Sequence, residues 1–289
     1  MAKSASTHRP ASLAPLETLL PARAGQKVPL PPELKRLYGA FYLATARSRP
    51  RIYSNFVTTL DGVVSLHVKG HAAGGDISGF SIQDRMVMGL VRAVVDVVIV
   101  GSGSLKADPQ AVWTPAAICP ELSSGYARLR AALGKRASPL NVIVSASGKL
   151  DLRLPVFSSG QVQTLILTTT VGAKRLNDQK LPASVEVRAL RRGSGEIRAS
   201  AILREVNRRM RAPQVLVEGG PNLLGDFYKQ RLIDEQFLTL APQIAGREEG
   251  DGRPSLVMGQ TFAPADPLWG SLIDVRRGGS HLYLRFSFR

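Results

Sequence analysis

Two glycine-containing turns, each directly after a predicted strand, could bind phosphate. The first contains Gly219 and Gly220 and leads into an amphipathic stretch that Pro221 can open as a helix. Glycine has no Cβ, so a ligand can approach its backbone, and the free N–H groups at a helix start attract phosphate. A plain tight turn between a strand and a helix has the same pattern, so this segment alone leaves both interpretations open.

The second turn follows the predicted strand at 96–100 and contains Gly101 and Gly103, with Ser104 and Asp108 further along. It lacks the spacing of a P-loop and is only part of a dinucleotide-binding motif, which is a weak signal by itself. Two such turns are a stronger signal, because open α/β sheets bind ligands at the carboxyl ends of strands where the strand order reverses. Together they predict a site for an anionic ligand.

Two further turns carry polar side chains after predicted strands. Asp61 precedes a glycine, and an aspartate in such a turn most often caps its own backbone. Ser145, Ser147 and Lys149 follow another strand. Two hydroxyls and a lysine could hold a ribose 2′-phosphate, but a solvated turn has the same composition and is the favoured interpretation of that segment on its own.

Histidine and cysteine usage argues against metal and hydrolytic chemistry. Cys119 is the only cysteine, which excludes an internal disulfide and a zinc site with two thiolates, and suits a reducing compartment. None of the four histidines has a glutamate two residues later, as zinc deaminases require. Neither a G-x-S-x-G nor an H-E-x-x-H pattern occurs. We therefore expect no metal site.

From residue 51 onward the chain alternates short apolar strands with helical segments. Strands are predicted at 52–58, 96–100, 140–145, 164–169, 185–190, 215–218, 235–241, 271–276 and 282–288, and helices at 33–38, 81–93, 121–133, 198–210 and 222–231. Unbroken Val, Ile and Leu runs are typical of strands buried on both faces of a parallel sheet. Only glycine and serine separate the last two strands. The sequence thus predicts an α/β fold with a mostly parallel sheet and a C-terminal antiparallel hairpin.

The 289 residues fit one large domain at 50–289 behind a proline-rich arm at 1–49, which we expect to be partly disordered. No apolar run is long enough to span a membrane, and the N-terminus lacks the apolar core of a signal peptide. A membrane is therefore not an expected partner.

Charge raises a competing interpretation. The 38 Lys and Arg against 22 Asp and Glu give a net charge of +16, so the protein attracts anions. Eight arginines between 187 and 211 could form a nucleic-acid surface. Apolar residues at helical spacing in that stretch, and the lack of interleaved aromatic residues, instead favour a solvated helix face. Nucleic acid is not the favoured partner.

Taken together, the motifs resemble a known family. In chain order they are Thr59-Leu60-Asp61-Gly62, Leu90-Val91-Arg92-Ala93, the turn at 101–109, Glu218-Gly219-Gly220-Pro221-Asn222-Leu223, Leu232-Ile233-Asp234-Glu235 and Ala241-Pro242. Their order and spacing resemble the C-terminal reductase domain of the bifunctional riboflavin-pathway deaminase–reductases, in a stand-alone form. The resemblance covers roughly residues 50–289, and the motifs are specific as a set although each is weak alone.

The resemblance implies a dihydrofolate-reductase-like three-layer fold, a cytoplasmic homodimer and NADPH as hydride donor. In the family the reaction reduces the ribosyl C1′ of a phosphoribosylamino-pyrimidine to a ribityl chain. The resemblance places the cofactor at Thr58, Ser104, Ser145, Ser147, Lys149, Gly219, Gly220, Pro221, Asn222, Leu223 and Leu224. It places the substrate at Asn55, Asp76, Arg92 and Glu218. The carboxylate of Asp108 or Asp61 is expected to orient the substrate or relay a proton.

Departures from the family pattern fall on the substrate side. Asp108 is single where family members commonly have two aspartates, and Trp113 stands near the position of an expected basic residue. Asn55 takes the place of a frequent lysine six residues before Asp61. We expect Asn55, Phe56, Asp61 and Trp113 to form a slot for a flat heterocycle. The alternatives are a dihydrofolate or pterin reductase, a basic nucleic-acid-binding protein, and a ligand sensor on a reductase fold.

Overall fold

The computed structural model describes residues 13–44, 48–191 and 195–288. Its strands are β1 (Glu17–Leu20), β2 (Gln26–Lys27), β3 (Tyr42–Leu43), β4 (Arg51–Thr58), β5 (Val97–Gly101), β6 (Leu140–Val144), β7 (Thr164–Thr169), β8 (Val185–Arg191), β9 (Gln214–Val217), β10 (Glu235–Leu240), β11 (Ser271–Gly278) and β12 (His281–Ser287). Its helices are α1 (Pro32–Tyr38), α2 (Gly74–Ser78), α3 (Ile82–Val94), α4 (Ser102–Ala107), α5 (Pro115–Ile118), α6 (Ser123–Ala132), α7 (Pro155–Ser158), α8 (Thr170–Asn177), α9 (Ala199–Arg209) and α10 (Pro221–Lys229). None of these described helices has the length and apolar character needed to cross a membrane.

The strand order of the large sheet determines where a ligand can bind. It runs β1-β11-β12-β10-β4-β9-β5-β6-β7-β8. The strands from β10 through to β8 are parallel, whereas β12, β11 and β1 are antiparallel to their neighbours. After β4 the chain forms β5 to β8 on one side and then returns as β9 between β4 and β5. The carboxyl ends of β4, β9 and β5 therefore meet where the strand order reverses.

Apolar side chains cover both faces of this sheet and make three layers. On one face, Leu90 of α3 shares a buried cluster with Val98 of β5. On the other face, Ile202 of α9 and Phe227 of α10 share a buried cluster with Ile99. Successive residues of a strand point to opposite faces, so one unbroken apolar run serves both clusters. The α/β class, the mostly parallel sheet and the C-terminal antiparallel hairpin predicted from the sequence are confirmed.

Helix α3 shows how local sequence sets the bounds of an element. The Ser81 hydroxyl accepts a hydrogen bond from the Asp84 N–H at 3.3 Å and caps the first turn. Apolar residues at helical spacing lie on the buried face. The helix ends at Val94, and Val95 has extended backbone that leads into β5. The helix predicted at 81–93 is thus confirmed to within one residue at each end.

The segment before residue 50 contributes to the core, which its proline content does not indicate. Leu34, Leu37 and Phe41 are 0 %, 1 % and 1 % exposed. Strand β1 pairs with β11 and extends the large sheet. The described part of the predicted arm is therefore packed into the fold, and its remaining residues lie outside the described ranges. The domain boundary at residue 50 stays a prediction.

Arginines between 187 and 211 pair with neighbouring acids. Arg209 Nη1 lies 2.7 Å from Glu186 Oε2, and Arg209 Nε lies 3.1 Å from Glu205 Oε1. Arg208 Nη2 is 2.8 Å from the same Glu205 oxygen. The apolar face of α9 packs on the sheet, so these arginines lie on the solvated face. These ion pairs support the interpretation of the arginine run as a solvated helix face. Arg192 of this run lies outside the described residues.

Candidate functional site

The two glycine turns meet at the carboxyl ends of β5 and β9. The Glu218 N–H donates to the Ile99 carbonyl at 3.0 Å, which continues the strand pairing by one residue. A Cβ on Gly219 would lie 3.1 Å from the Gly101 nitrogen and would overlap the Leu223 side chain. Packing between the turns therefore requires glycine at this position. The two turns that the sequence singles out form one continuous surface.

Helix α10 presents its first turn to this surface without a capping side chain. Gly220 is the N-cap residue, and Pro221 takes the first turn, where its missing N–H would be unpaired in any case. No atom lies within 4 Å of the point that a Gly220 Cβ would occupy. Asn222 is exposed and Leu223 is half-buried, whereas Leu224 is 0 % exposed and packs in the core. The open backbone at the start of α10 fits an anionic group, and the buried Leu224 holds this first turn against the core.

Helix α4 starts in the second turn in the same way. Gly101 is its N-cap and receives no side-chain capping bond. Nothing lies within 4 Å of the Cβ position at Gly103. The half-buried Ser104 accepts a backbone hydrogen bond from Asp108 at 2.9 Å, and the exposed Asp108 carboxylate accepts from the Gln110 N–H at 3.3 Å. Both predicted residues therefore lie in the same open turn.

The turn after β6 opens onto a positively charged cavity. Lys149 lines this wide cavity of about 720 Å³ together with Arg175 and Lys180. The Ser147 hydroxyl accepts from the Lys149 N–H at 3.3 Å, and the Ser147 carbonyl accepts from the Arg175 guanidinium. Ser145 Oγ is buried and has no hydrogen-bond partner among the described residues. An unpartnered hydroxyl at the end of β6 and a nearby cavity lined by Lys149, Arg175 and Lys180 are chemistry that suits a phosphorylated ligand.

Arg92 and Glu218 form a buried ion pair, and Glu218 directly precedes the glycine pair. Arg92 Nε and Nη2 donate to Oε2 of Glu218 at 2.9 and 2.8 Å, and Arg92 Nη1 donates to the Thr114 carbonyl at 3.3 Å. Asn55 Nδ2 lies 3.5 Å from Glu218 Oε1. The side chains of Arg92 and Glu218 are only 7 % and 6 % exposed. Three of the four residues expected to meet the substrate are thus brought together beside the glycine turns.

Two other predicted residues are engaged in loop contacts. Asp76 Oδ1 lies 2.8 Å from His71 Nδ1. Thr58 Oγ1 donates to the carbonyls of Thr59 and Val63 at 3.2 and 3.3 Å. In the part of the chain that the structure describes, neither side chain hydrogen bonds to the buried ion pair. These contacts fix the loop that follows β4.

Asp61 ties two loops together. Its carboxylate accepts hydrogen bonds from Thr59 Oγ1 at 2.5 Å and from the Ala245 and Gly246 N–H groups at 3.1 and 2.8 Å. The bond from Thr59 and those from the two N–H groups lower the pKa of Asp61 to about 2. A carboxyl group held ionised in this way has no proton to release near neutral pH. The geometry therefore gives Asp61 a structural role between these loops, and its expected part in orienting the substrate or relaying a proton stays a prediction.

Of the slot predicted from Asn55, Phe56, Asp61 and Trp113, Phe56 lies on the other face of the sheet from Asn55 and Trp113. Asn55 and Phe56 are successive residues of β4 and point to opposite faces of the sheet. Phe56 packs on the face covered by α9 and α10. Trp113 is 5 % exposed and belongs to the core on the face covered by α3. The alternation of β4 separates side chains that the sequence-based interpretation combined.

Asp84 and Arg175 are absent from the sequence-based site. Asp84 lies on α3 three residues before Val87 and seven before Val91, which places it on the buried stripe, and it is 5 % exposed. An acidic residue on an otherwise apolar helical stripe is a signal that could have found it. Arg175 belongs to α8, a helix missing from the prediction. Residue spacing in the sequence could therefore not predict that Arg175 lies near Lys149.

The protein is a three-layer α/β protein with a mostly parallel sheet. Two open glycine turns and a buried ion pair at the central strand ends form its candidate ligand site. The family model of the RibD C-terminal domain matches residues 50–263. The chain therefore belongs to the RibD C-terminal domain family, a family of riboflavin-biosynthesis reductases.

Named relatives agree with this membership. A 2,5-diamino-6-ribosylamino-4(3H)-pyrimidinone 5′-phosphate reductase of Aquifex aeolicus is 25 % identical over 214 residues, which is 74 % of this chain and 85 % of the relative. The riboflavin biosynthesis protein RibD of Chlamydia trachomatis is 30 % identical over 158 residues, which is 53 % of this chain and 40 % of the relative.

Solved structures show the same fold. A pyrimidine reductase-like protein from Corynebacterium diphtheriae has a TM-score of 0.65 at 18 % identity, over 88 % of this chain and 97 % of that one. A diaminohydroxyphosphoribosylaminopyrimidine deaminase/5-amino-6-(5-phosphoribosylamino)uracil reductase from Thermotoga maritima has a TM-score of 0.59 at 20 % identity, over 83 % of this chain and 56 % of that one. These likenesses confirm the fold class predicted from the sequence.

Proposed function

We propose that the protein is an NADPH-dependent reductase that transfers a hydride to a phosphoribosylamino-pyrimidine in riboflavin biosynthesis. One observation carries the proposal: the buried polar cluster at Glu218 and the open turn at Gly219 and Gly220 occupy consecutive residues after β9. A hydride donor and its acceptor must be held against each other in an oriented site that excludes water. The relative of Aquifex aeolicus, named as a reductase of a ribosylamino-pyrimidinone phosphate, supports this substrate class.

The cofactor is proposed to lie across the carboxyl ends of β9, β5 and β6. Gly219, Gly220 and Asn222 hold its pyrophosphate, because the start of α10 offers open backbone and N–H groups without a capping side chain. Ser145 and Lys149 hold the ribose 2′-phosphate that distinguishes NADPH from NADH, with the cations of the adjoining cavity. When bound, the nicotinamide supplies the hydride.

The substrate is proposed to lie on the other side of Glu218. Arg92 fixes the Glu218 carboxylate by two hydrogen bonds, so that Glu218 can accept from a substrate hydroxyl or N–H without moving. Asn55 adds an amide that can both donate and accept. Asp108, exposed in the α4 turn, orients the substrate from the cofactor side. These residues bind and orient, and none of them needs to form a covalent bond.

We propose further that the protein is a cytoplasmic homodimer. Strand β1 lies at the edge of the large sheet, and its Leu19 and Leu20 are 49 % and 40 % exposed, as suits a surface that a second copy covers. The single cysteine, Cys119, is buried and unpaired, which suits a reducing compartment. Light scattering after gel filtration should give twice the chain mass of 31.1 kDa, and a monomer would overturn the dimer.

A dihydrofolate or pterin reductase is the second candidate. Asn55 beside Glu218 favours it, since pathway reductases of the family often carry a lysine at that position. A neutral amide next to a carboxylate can hydrogen bond to the ring nitrogens and amino group of a pterin as readily as to a pyrimidine. Measuring NADPH oxidation with the phosphoribosylamino-pyrimidine and with a dihydropterin separates the two candidates.

Titration of the full chain with NADPH and NADH, followed by nicotinamide fluorescence, tests the proposed function. We expect saturable binding that is tighter for NADPH, and oxidation of NADPH when the phosphoribosylamino-pyrimidine is added. Turnover of a dihydropterin alone supports the second candidate. Binding without turnover of either substrate supports a ligand sensor. Failure to bind NADPH, with salt-dependent binding of DNA or RNA instead, overturns the proposal in favour of a nucleic-acid-binding protein.

A further inference from the structure

Arg130 of α6 is a buried cation that the proposed function does not use. It is 2 % exposed, and in the described part of the chain it forms no ion pair. Burial lowers the pKa of Arg130 to about 10, so the guanidinium is still charged at neutral pH. A buried charge is costly unless polar groups compensate it. The groups that compensate Arg130 therefore indicate what this residue does.

Backbone carbonyls at the end of α3 surround one nitrogen of Arg130. Its Nη1 donates to the carbonyls of Arg92, Ala93 and Val95 at 3.2, 3.2 and 2.9 Å. Its Nε donates to the Arg136 carbonyl at 2.6 Å, which fixes the guanidinium from the other side. Arg130 thus binds the C-terminus of α3 and the loop after α6 at the same time.

The sequence at the end of α3 makes a donor from outside the helix necessary. The last carbonyls of a helix have no partner within the helix, and a glycine after the last turn often lets the chain turn back and cap them. Helix α3 has no such glycine, because Val95 follows it in extended backbone that leads into β5. A cation is favourable at this end, since the helix dipole is negative there. The place of the last turn of α3 therefore depends on Arg130.

Arg92 belongs to this last turn and connects Arg130 to the candidate site. Its carbonyl accepts from Arg130, while its guanidinium donates to Glu218 through Nε and Nη2. The remaining nitrogen, Nη1, donates to the Thr114 carbonyl. A displacement of the helix end therefore moves the Arg92 guanidinium, and with it the carboxylate that is proposed to orient the substrate.

A neighbouring cation has a different task. Lys135 Nζ lies 2.6 Å from Asp96 Oδ1, and Asp96 Oδ2 accepts from the Gln214 N–H at 2.8 Å. This ion pair holds the start of β5 against the start of β9. The Lys135 side chain thus binds Asp96, whereas Arg130 binds the carbonyls of α3. Since both cations come from the same stretch of chain, Lys135 offers a matched control.

We propose that Arg130 is a positioning residue of the candidate site, which holds the carbonyl of Arg92 and so sets the place from which the Arg92 guanidinium orients Glu218 toward the substrate. This inference rests on the proposed function, because it takes Glu218 as a substrate-binding residue. Arg130 touches neither substrate nor cofactor in the proposed arrangement. A displacement of about 1 Å in a reacting arrangement can cost about 100-fold in rate, even when its cause lies far from the chemistry.

Steady-state kinetics of Arg130→Met test the inference. Methionine keeps an apolar stem of similar length and donates no hydrogen bond. We expect KM for the phosphoribosylamino-pyrimidine to rise about tenfold, with NADPH affinity unchanged and the folded fraction unchanged by circular dichroism. Lys135→Met removes a cation from the same stretch and should keep the wild-type KM. An unchanged KM in Arg130→Met, or an equal rise in Lys135→Met, would overturn the inference.

A double variant shows whether Arg130 acts through Arg92. In an Arg92→Met background, adding Arg130→Met should cause no further loss of kcat/KM, because two residues that act through one contact are not additive. Losses that add would show that Arg130 acts on turnover by another route, and they would overturn the inference.

Hydrogen exchange at the Nε–H of Arg92 is a measurement independent of activity. Its proton–nitrogen NMR signal is identified by its absence from Arg92→Lys. Exchange should be slow in the wild type, where this N–H is buried and bonded to Glu218. Arg130→Met should speed exchange at least tenfold, and Lys135→Met should not. Unchanged exchange in Arg130→Met would overturn the inference.

Arg130→Lys decides the question if Arg130→Met does not fold. Lysine keeps the charge, but its side chain is shorter and lacks the donor that binds the Arg136 carbonyl. We expect exchange at Arg92 and KM to lie between those of the wild type and those predicted for Arg130→Met, and wild-type values for both would overturn the inference. Failure of the wild type to bind NADPH overturns the proposed function instead. The exchange measurement needs no cofactor, so the two failures are distinguishable.

Discussion

The guanidinium of Arg92 donates two hydrogen bonds to one carboxylate oxygen of Glu218, from Nε at 2.9 Å and from Nη2 at 2.8 Å, across 126 positions of the chain. Arg92 lies in the last turn of α3, and Glu218 follows β9. The pair therefore fastens the helical layer to the central strand ends. Glu218 directly precedes the open glycine turn, so the ion pair and the glycine turn, the two halves of the candidate site, are held together at this residue.

Breaking this pair should destabilise the fold. Glu218→Gln leaves a buried guanidinium without a counter-charge, and we expect the free energy of unfolding to fall by about 3–5 kcal/mol. Urea unfolding followed by circular dichroism measures the change. The double variant Arg92→Met/Glu218→Gln should be more stable than Glu218→Gln alone, because no unpaired charge remains. A single variant as stable as the wild type would contradict the buried pair.

Two adjacent glycines should respond differently to substitution. Gly220→Val places a side chain in open space, so we expect an unchanged Tm and a loss of NADPH binding by blocked access to the start of α10. Gly219→Ala forces a Cβ against Leu223 and the Gly101 backbone, so Tm should fall as well. Differential scanning fluorimetry measures Tm and NADPH titration measures the affinity for NADPH, both for each variant and the wild type. Unchanged NADPH affinity in Gly220→Val would remove this turn from the cofactor site.

Cations at the cavity after β6 should select NADPH over NADH. Lys149→Ala and Arg175→Ala should each weaken NADPH binding by roughly tenfold, since a hydrogen bond to a charged group contributes about 1.5–3 kcal/mol. NADH affinity should not change. Arg153→Ala is the matched control, because this arginine also lines the cavity but its guanidinium is bonded to Asp151. Equal losses for both cofactors would show that the cavity does not bind the 2′-phosphate.

Asp61 should stabilise the protein only while it is ionised. Hydrogen bonds from Thr59, Ala245 and Gly246 lower the pKa of Asp61 to about 2, so the folded state binds this proton less tightly than the unfolded chain does. The stabilisation is therefore present above the unfolded pKa of about 3.9 and is lost as the pH falls toward 2. Asp61→Asn should lower Tm at pH values near 7, and the difference from the wild type should shrink below about pH 4. The exposed Asp178→Asn should leave Tm unchanged, and a Tm difference for Asp61→Asn that does not vary with pH would contradict the pKa assignment.

Elements whose signal is local were predictable from the sequence. Strand β5 is a run of Val and Ile residues in which every side chain before Gly101 is buried, and such a run needs no tertiary information. Helix α8 was not predictable in the same way. Its N-cap is Thr169, which is also the last residue of β7, so no loop composition separates the strand from the helix.

Contacts between segments that are far apart in the sequence could not be predicted from the sequence. Helix α1 is indicated by its prolines, but its burial depends on partners such as Asp274, whose carboxylate accepts from Tyr38 Oη at 3.3 Å across 236 positions. The glycine turns were found because their pattern is local. That Arg92 and Glu218 form an ion pair follows from three-dimensional packing alone. That Asn55 and Phe56 lie on different faces of β4 follows from the alternation of the strand predicted at 52–58, which the proposed slot did not take into account.

The insertion of β9 between β4 and β5 has a consequence for synthesis on the ribosome. Both of its neighbours are made long before it, and β4 and β5 have no shared partner until residues 214–217 emerge. The nascent chain must therefore keep two unpaired strand edges apart from other chains during most of translation. Pairing between segments so far apart in sequence is also slow. A chaperone that shields exposed strands should raise the yield of this protein, and a chain that stops before residue 214 should aggregate.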